Sequence, residues 1–406
     1  PPAEQRTVIE HFARFLRLRS HVLIQRPHLV LQEAHNLAAQ GPVAQAAAQV
    51  HASAGPGRPW LRLLNRPALA GDRCLQTLEG HTRGVKAVAV TPDGQRILTG
   101  SADQTVRVWG RATGACLLVL EGPTDEITAL ATAPDGRQLI SADHSGVVRL
   151  WDLTTGACLR SFRAHELAIF SLALTPDGRR LLTASWDASV RLWDISTVLN
   201  AGLGTGERLR TLLGHRLLVK VVAALPDGRR AVTASNDHTL RVWDLESAAC
   251  LQTIDCSPHP INSVALTPDG REAVTGGMDN IQVWNLDTGA YRLMIRAHLG
   301  SIEAVAVTPD GRIVSGGADT DRCVKIWDLV TGACLQTLRG HGDRINAIAL
   351  TPDGRQALTG SMDHTARLWD LDAGPEPELL PRHEEAVHAA AITPDGRRAI
   401  TGGEDR

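Results

Sequence analysis

The stretch CLQTLEGHTRGVKAVAVTPDGQRILTGSADQTVRVWG, residues 74–110, contains the features that decide the fold. Alternation of apolar and polar residues in VKAVAV, residues 85–90, and in VRVW, residues 106–109, predicts short β-strands. The tripeptide Pro92-Asp93-Gly94 between them is a turn signal, because proline fixes φ and glycine accepts a positive φ. The stretch therefore predicts a small antiparallel sheet with tight turns.

The turn recurs along the chain with a nearly constant spacing. Pro-Asp-Gly occurs eight times, and successive copies lie 42, 42, 50, 42, 41, 43 and 42 residues apart. A period near 42 residues is typical of propeller blades, in which each repeat contributes four strands, and exceeds that of the shorter helical repeats. The copies begin at Pro92, Pro134, Pro176, Pro226, Pro268, Pro309, Pro352 and Pro394.

Four residue types recur at fixed places in these units, and the units resemble repeats of the WD40 family. Gly80-His81, Asp103 and Trp109 mark the first unit. In that family a histidine, a turn aspartate, a strand Ser or Thr and a tryptophan form a buried hydrogen-bonded tetrad in each blade, which implies a structural role here. The resemblance covers residues 72–406, and five units carry full sets, which are His81, Thr99, Asp103 and Trp109; His165, Thr183, Asp187 and Trp193; His215, Thr233, Asp237 and Trp243; His298, Ser315, Asp319 and Trp327; and His341, Thr359, Asp363 and Trp369.

The Ser or Thr, the His and the Asp of each set also match the side chains of a hydrolase triad. A triad occurs once in an enzyme, on an exposed turn, whereas this set recurs five times at spacings that suit packing. The sequence also contains no Cys-x-x-Cys pair, which is the spacing typical of a zinc site. We therefore expect no catalytic site, no cofactor and no metal.

Two units depart from the pattern. The second has Pro123 in place of histidine and Ser145 in place of aspartate. Because both partners are absent, neither is left buried without a hydrogen bond. The fifth has Ser257 at the histidine position and Asn285 after Trp284. We expect these two blades to be the loosest.

The first predicted strand, CLQTL at residues 74–78, copies the outer strand of later blades, yet no inner strands precede it. In propellers such a strand commonly completes the last blade and leaves no open sheet edge. Eight units plus this strand predict a ring of eight four-stranded blades whose last blade is cut short at Arg406. The alternative is that seven units close the ring and the eighth begins a second propeller.

Residues 1–58 are predicted to be a small helical connector, with apolar residues at helical spacing from Ile9 to Leu16, and residues 59–71 a linker. Residues 20–34 and 59–67 resemble the connector before the propeller of NACHT-WD40 proteins, which are signal-transducing STAND NTPases. The resemblance implies that the propeller is the sensor of such an ATPase. Any NTPase activity would belong to an upstream domain, since no G-x-x-x-x-G-K-[ST] occurs in the chain.

Composition restricts the partners and the compartment. A formal charge of -2 gives no strong attraction for nucleic acid, and no apolar run reaches the roughly 18 residues needed to cross a bilayer. Only three of the 42 Lys and Arg residues are lysines, a bias typical of GC-rich bacterial coding. Five of seven cysteines recur at one repeat position, which predicts buried packing thiols and a reducing cytoplasm: Cys74, Cys116, Cys158, Cys250 and Cys334.

Propellers bind partners most often across the face formed by the loops that hold the tetrad histidine and aspartate. Positions five after the histidine and one before the aspartate are mostly small or polar, but blade three has aromatic residues at both, and blade four has two leucines close to these positions. We therefore predict a contact site, although these side chains could instead only cover one another. The predicted residues are Phe170, Trp186, Leu217, Leu218, Lys220 and Asn236, with Lys86 on the same face.

The sequence thus predicts an all-β, non-catalytic recognition domain. The preferred interpretation is the sensor or autoinhibitory region of a NACHT-type signalling ATPase that binds protein partners or its own upstream domains. A general protein-interaction scaffold is the alternative, followed by a non-catalytic region fused to a bacterial kinase or another enzyme. Neither the partner nor the oligomeric state follows from the sequence.

Overall fold

The computed structural model describes residues 73–196, 207–258, 260–318, 320–372, 387–392 and 399–403. The predicted helical connector, residues 1–58, and the predicted linker, residues 59–71, lie outside these ranges and stay predictions. Within the described ranges, no helix has the length and apolar character that crossing a membrane requires.

Seven antiparallel sheets of four strands form the blades of a propeller. The strands of blades one to three are β2 (Val85–Val90), β3 (Arg96–Ser101), β4 (Val106–Gly110), β5 (Cys116–Leu120), β6 (Ile127–Thr132), β7 (Gln138–Asp143), β8 (Val147–Asp152), β9 (Cys158–Arg163), β10 (Ile169–Leu174), β11 (Arg180–Ser185), β12 (Val190–Asp194) and β13 (Glu207–Leu212). Those of blades four to six are β14 (Val219–Ala224), β15 (Arg230–Ser235), β16 (Thr239–Asp244), β17 (Cys250–Asp255), β18 (Ser263–Leu266), β19 (Glu272–Gly276), β20 (Asn280–Asn285), β21 (Tyr291–Arg296), β22 (Ile302–Val307), β23 (Arg312–Gly317), β24 (Val324–Asp328) and β25 (Cys334–Leu338). Blade seven consists of β26 (Ile345–Leu350), β27 (Gln356–Ser361), β28 (Ala366–Asp370) and the first strand of the chain, β1 (Cys74–Leu78).

The inner strand of most blades begins with a β-bulge. In blade one the register shifts between Val85 and Ala87, which leaves Lys86 without a partner residue in the ladder. The same shift occurs at the start of the inner strand in every blade except the fifth. Bulges of this kind re-aim one side chain at the edge of a sheet. The skipped residues are Lys86, Thr128, Phe170, Lys220, Glu303 and Asn346.

The core lies between neighbouring blades rather than within each one. Leu98 and Val108 of blade one, for example, pack with Leu139 and Trp151 of blade two, and all four are buried. Two sheets that face each other in this way exclude water from both, which is the main stabilisation of a propeller. Each repeat therefore depends on its neighbours.

The first strand of the chain completes the seventh blade. β1 pairs antiparallel with β28, and Leu78 stands opposite Ala366. Leu78 also joins Ile97 and Trp109 in the core between blades seven and one. The inner strands β2 and β26 contact each other, as do those of every other neighbouring pair, so seven blades close the ring.

The prediction of an eight-bladed ring is therefore wrong, and the seven-bladed alternative is the one observed. The eighth unit contributes a two-stranded sheet, β29 (Val387–Ile392) and β30 (Ala399–Gly403), within a separate compact unit, Ala373–Arg406. The sequence does carry a signal for this result. No copy of CLQTL follows β28, where residues 373–380 read AGPEPELL, and proline cannot donate to a strand ladder. That the eighth unit begins a second propeller stays a prediction.

Most of the recurring cysteines are exposed. Of the five, only Cys74 is buried, so the prediction of buried thiols at this position is wrong for Cys116, Cys158, Cys250 and Cys334. The position begins the outer strand of a blade, which has a neighbouring strand on one side only. The other two cysteines, Cys256 and Cys323, are buried although they lie outside the repeat position.

Candidate functional site

Five blades bring a histidine, a hydroxyl, a carboxylate and an indole together near one face of the ring. In blade one His81 Nδ1 lies 2.8 Å from Asp103 Oδ2, and its Nε2 lies 2.7 Å from Thr99 Oγ1. Trp109 Nε1 donates to the same hydroxyl at 2.8 Å. The Thr99 hydroxyl thus joins the imidazole to the indole.

The tetrad of blade three has the same arrangement with one longer bond. His165 Nδ1 lies 2.8 Å from Asp187 Oδ2, and its Nε2 lies 2.7 Å from Thr183 Oγ1. Trp193 Nε1 donates to that hydroxyl at 3.1 Å. Thr183 and Trp193 are both buried, so they support the blade and are not accessible to a partner.

Blade four repeats the arrangement again. His215 Nδ1 lies 3.0 Å from Asp237 Oδ2, and its Nε2 lies 2.7 Å from Thr233 Oγ1. Trp243 Nε1 donates to the Thr233 hydroxyl at 2.8 Å. Thr233 and Trp243 are buried as well, and Trp243 packs in the core with strands of blade three. Their role is therefore structural.

Blade seven, which the first strand of the chain completes, has an intact tetrad too. His341 Nδ1 lies 2.8 Å from Asp363 Oδ2, its Nε2 lies 2.7 Å from Thr359 Oγ1, and Trp369 Nε1 donates to that hydroxyl at 2.8 Å. Thr359 and Trp369 are buried like their counterparts in the other blades.

In blade one, the surroundings of the tetrad lower the pKa of both its carboxyl and its imidazole. Burial alone would raise the pKa of the Asp103 carboxyl, but hydrogen bonds from Thr105, the Thr82 amide and His81 outweigh it and lower this pKa to about 2. Burial lowers the pKa of His81 below its ordinary value, although its bond to Asp103 acts in the opposite direction. Since both ring nitrogens are engaged and the Thr99 hydroxyl is fully buried, the set has no route to a substrate.

In blade six the carboxylate belongs to Asp321, and not to the predicted Asp319, which lies outside the described residues. Asp321 Oδ2 is 2.7 Å from His298 Nδ1, and Ser315 Oγ bonds to His298 Nε2 at 2.8 Å and accepts from Trp327 Nε1 at 2.9 Å. The turn between β23 and β24 is longer than its counterparts, so counting four residues forward from the strand hydroxyl fails. Counting six residues back from Trp327 would have found Asp321.

Blade two replaces the missing histidine and aspartate with a different buried pair. Arg149 Nη1 donates to the carboxylate of Asp143, whose side chain is fully buried, and Ser145 Oγ donates to the same carboxylate at 2.6 Å. The acid has thus moved two residues back onto the end of β7. Trp151 keeps its bond to Ser141 at 2.9 Å. That blades two and five are the loosest stays a prediction.

Of the predicted contact residues, Phe170 and Trp186 of blade three lie together, beside His144 of blade two. The Phe170 and Trp186 rings lie 5.9 Å apart, and the His144 ring stands nearly perpendicular to both, at 6.5 and 6.3 Å. These rings cover one another in part, yet Trp186 keeps 51% of its surface exposed. In the next blade Leu217 is 53% exposed, whereas its neighbour Leu218 is partly buried, as is the predicted contact residue Asn236.

The bulge residues surround a cavity of about 390 Å³ at the centre of the ring, and the two predicted lysines are among them. Lys86 Nζ lies 2.6 Å from Glu126 Oε2, and Lys220 Nζ lies 3.1 Å from Glu303 Oε2. Burial would raise the pKa of Glu303, but the Lys220 charge and a hydrogen bond from Ser301 hold it below its ordinary value. Lys86 therefore ties the neighbouring blades one and two together, whereas Lys220 reaches from blade four past blade five to blade six.

The repeat family confirms what the geometry indicates. The family described as WD domain, G-beta repeat matches seven segments, residues 72–110, 114–152, 156–194, 206–244, 248–284, 290–328 and 332–370, which together cover more than half of the chain. The chain belongs to the WD40 family. Its seven matched repeats correspond to the seven blades of the closed ring.

Several proteins are similar to short parts of this chain. The chain is 40% identical over 55 residues to vegetative incompatibility protein HET-E-1 of Podospora anserina, which is 14% of this chain and 4% of that protein. It is 54% identical over 43 residues to protein Mut11 of Chlamydomonas reinhardtii, 11% of this chain and 12% of Mut11. It is 50% identical over 44 residues to transcriptional repressor rco-1 of Neurospora crassa, 11% of this chain and 7% of rco-1. The matches thus span a small fraction of each relative.

Sequence reasoning missed several apolar residues of the WD40 face. His144 and Met278 occupy the same position as Trp186, one residue before the aspartate slot, but the departures of blades two and five hid them. With Trp186 and Leu217, four further side chains form a discontinuous arc on blades three to six, which we call the apolar arc. These four are between 49% and 73% exposed, and they are Leu167, Leu213, Met278 and Leu299.

Proposed function

We propose that this propeller is a non-catalytic protein-interaction domain that holds its partner on the apolar arc, with Trp186 at the contact. The observation that carries the proposal is the half-exposed Trp186, backed by Phe170 and His144 rather than free in solvent. A large ring held by its neighbours loses little conformational entropy on binding, and such residues dominate binding energy at protein interfaces.

The arrangement supports binding rather than chemistry. The tetrad histidines are buried and bonded to aspartates of intermediate burial, while the exposed part of the arc consists of indole and aliphatic groups. The relatives named above are associated by name with vegetative incompatibility and transcriptional repression, and neither name denotes a reaction. Because proteins with this repeat are named for two different processes, a role in recognition is what they can have in common.

A photo-crosslinking experiment tests this proposal. We replace Trp186 with p-benzoylphenylalanine in the native full-length protein, produced in its source cells, and irradiate them. The matched control places the same residue at Leu251, which is equally exposed at 53% but lies on the outer strand of blade four. We expect a discrete crosslinked product from position 186 and none from position 251. Equal products from both positions, or none from either, would overturn the proposal.

The same experiment addresses the finer proposal that the ring is the sensor or autoinhibitory part of a NACHT-type signalling ATPase. An upstream domain of the same polypeptide, or a trigger protein, would be the occupant of the arc in that case. A crosslink within the polypeptide that disappears on activation supports the sensor. Crosslinks only to separate proteins, in a polypeptide without a phosphate-binding loop, support a general scaffold instead.

A reducing cytoplasm is the compartment we propose. None of the seven cysteines forms a disulfide, and four of them are exposed on outer strands where oxidation could link molecules. Such thiols persist in compartments where glutathione and thioredoxin keep them reduced.

A further inference from the structure

The tetrad of blade six differs from the other four in the residue that follows its aspartate. In those blades a hydroxyl two residues after the aspartate donates to the carboxylate Oδ1, at 2.6 or 2.7 Å. In blade six that position is Cys323, whose thiol is buried. Among the described residues, no group meets the geometry of a hydrogen bond to Asp321 Oδ1, although the Cys323 thiol interacts with this carboxylate and the side chain is nine-tenths buried. A buried carboxylate oxygen whose nearby donor is only a weakly polar thiol is available to a stronger ligand such as a cation. The four hydroxyls are those of Thr105, Ser189, Thr239 and Thr365.

A glycine allows this oxygen to approach the backbone closely. Blades one, three, four and seven end their second strand in serine, whereas blade six ends it in Gly317. A Cβ on Gly317 would stand closer than 3.0 Å to both Asp321 Oδ1 and His298 Nδ1. The glycine therefore lets the imidazole and the carboxylate pack directly against the backbone, and we call the space bounded by these two groups and the Cys323 thiol the cradle.

Three different ligand atoms line this cradle. His298 Nδ1, a carboxylate oxygen of Asp321 and Cys323 Sγ all lie within 4.8 Å of one another, and this is the sole such group among the described residues. Nitrogen, oxygen and thiolate sulfur together are typical ligands of Zn²⁺ and of related borderline metals. The bond from His298 Nε2 to Ser315 Oγ, 2.8 Å long, would hold the ring in orientation, as partners of ligating histidines do.

We propose that blade six binds one Zn²⁺-like cation through His298, Asp321 and Cys323, with a fourth position left for solvent. On binding, the ring proton of His298 moves from Nδ1 to Nε2, which then donates to Ser315 Oγ, so that the Nδ1 lone pair and the Asp321 carboxylate bind the cation, while the Cys323 thiol proton leaves to solvent. Lys325 Nζ, 3.3 Å from Asp321 Oδ2, is the charge that opposes the cation. Its removal should therefore tighten binding.

Cobalt serves as the probe, because a cobalt–thiolate bond absorbs by charge transfer and tetrahedral Co²⁺ has intense visible bands. The full chain, freed of metal with a chelator, is titrated with Co²⁺ and then with Zn²⁺. We expect one equivalent of Co²⁺ to give the thiolate band and Zn²⁺ to abolish it. Cys323→Thr, which installs the residue of blades one, four and seven, should lose the band and keep its fold. Lys325→Gln, which installs the residue at the corresponding position of blade five, Gln282, should bind Co²⁺ more tightly.

The control is Cys256→Ser, which removes the other buried thiol outside the repeat position and should keep the band. The exposed thiols of the outer strands remain in every variant, so adventitious binding to them gives the same signal throughout. If Cys323→Thr keeps the full band, or if the parent chain shows none, Cys323 is only a buried packing residue and the proposal fails. The thermal unfolding of each variant shows that it is folded.

Discussion

At the scale of single residues, burial decides what the tetrad side chains do. In blade one, both imidazole nitrogens are bonded, and the hydroxyl is shared between an indole and an imidazole. A buried polar group without a partner is costly, so each member of the set depends on the others. The tetrads therefore contribute to the fold and leave recognition to exposed neighbours such as Trp186.

The tetrad pKa values predict the pH dependence of stability. The folded pKa values of His81, His215 and His341 lie below 6.5, so the unfolded chain binds protons more readily as the pH falls through that value. We expect the midpoint of thermal unfolding to decrease from about pH 7 to about pH 5. The lowered pKa of Asp103, about 2, adds a further loss below about pH 4. A midpoint that stays constant down to about pH 5 would contradict this account.

Substitution of two tryptophans, one buried and one exposed, distinguishes a role in folding from a role in binding. Trp369 is 2% exposed and bonds to Thr359, whereas Trp186 is 51% exposed. Trp369→Ala should lower the free energy of unfolding by about 3 to 5 kcal/mol. Trp186→Ala should change it by less than about 1 kcal/mol while weakening partner or interdomain binding. Chemical denaturation of both variants provides the comparison, and an equal loss in the two would assign Trp186 to the core.

At the scale of elements, one blade can replace its tetrad and keep its place in the ring. In blade two, Asp143 and Arg149 supply a buried ion pair where other blades use histidine and aspartate. The sequence showed that the tetrad pair is lost, since Pro123 and Ser145 occupy the histidine and aspartate positions. It did not show which residues replace that pair. The register that places an acid at the end of β7 beside an arginine of β8 is a property of the folded sheet.

A double-mutant cycle tests the replacement. Asp143→Asn or Arg149→Met alone leaves one buried charge without its partner and should cost about 3 to 5 kcal/mol. The double variant should cost less than the sum of the two single changes, because neither charge remains. Denaturant unfolding of the four proteins measures the coupling. Strictly additive losses would show that the pair does not interact.

Repeat spacing predicted most strands, and it failed where loop length varies. The hydroxyl and the aspartate are four residues apart in the other tetrads, as in Thr183 and Asp187, and this spacing selected Asp319 in a turn that is longer in blade six. No residue type marks the bulges that aim side chains at the central cavity, and the bulge residues share only their place at the start of the inner strand. Contacts between blades, such as that of Lys220 with Glu303, depend on ring geometry and could not be derived from one repeat.

At the scale of the whole molecule, closure of the ring is what brings the apolar arc onto one rigid face. The sequence predicted that the first strand would complete a blade, but eight turn signals pointed to eight blades. Because β1 has the same sequence as β25, its own residues cannot specify the blade it joins. The partner is decided by the blade that lacks an outer strand, which is blade seven.

Two truncations compared by thermal unfolding test seven-bladed closure most directly. A chain that ends at Asp372 loses the eighth unit but keeps every strand of the ring, so its unfolding midpoint should equal that of the full chain. A chain that begins at Glu79 loses β1, exposes the edge of β28 and should unfold at a clearly lower temperature. If removal of residues 373–406 destabilises the ring while removal of the residues before Glu79 does not, closure by β1 and the seven-bladed ring are both contradicted.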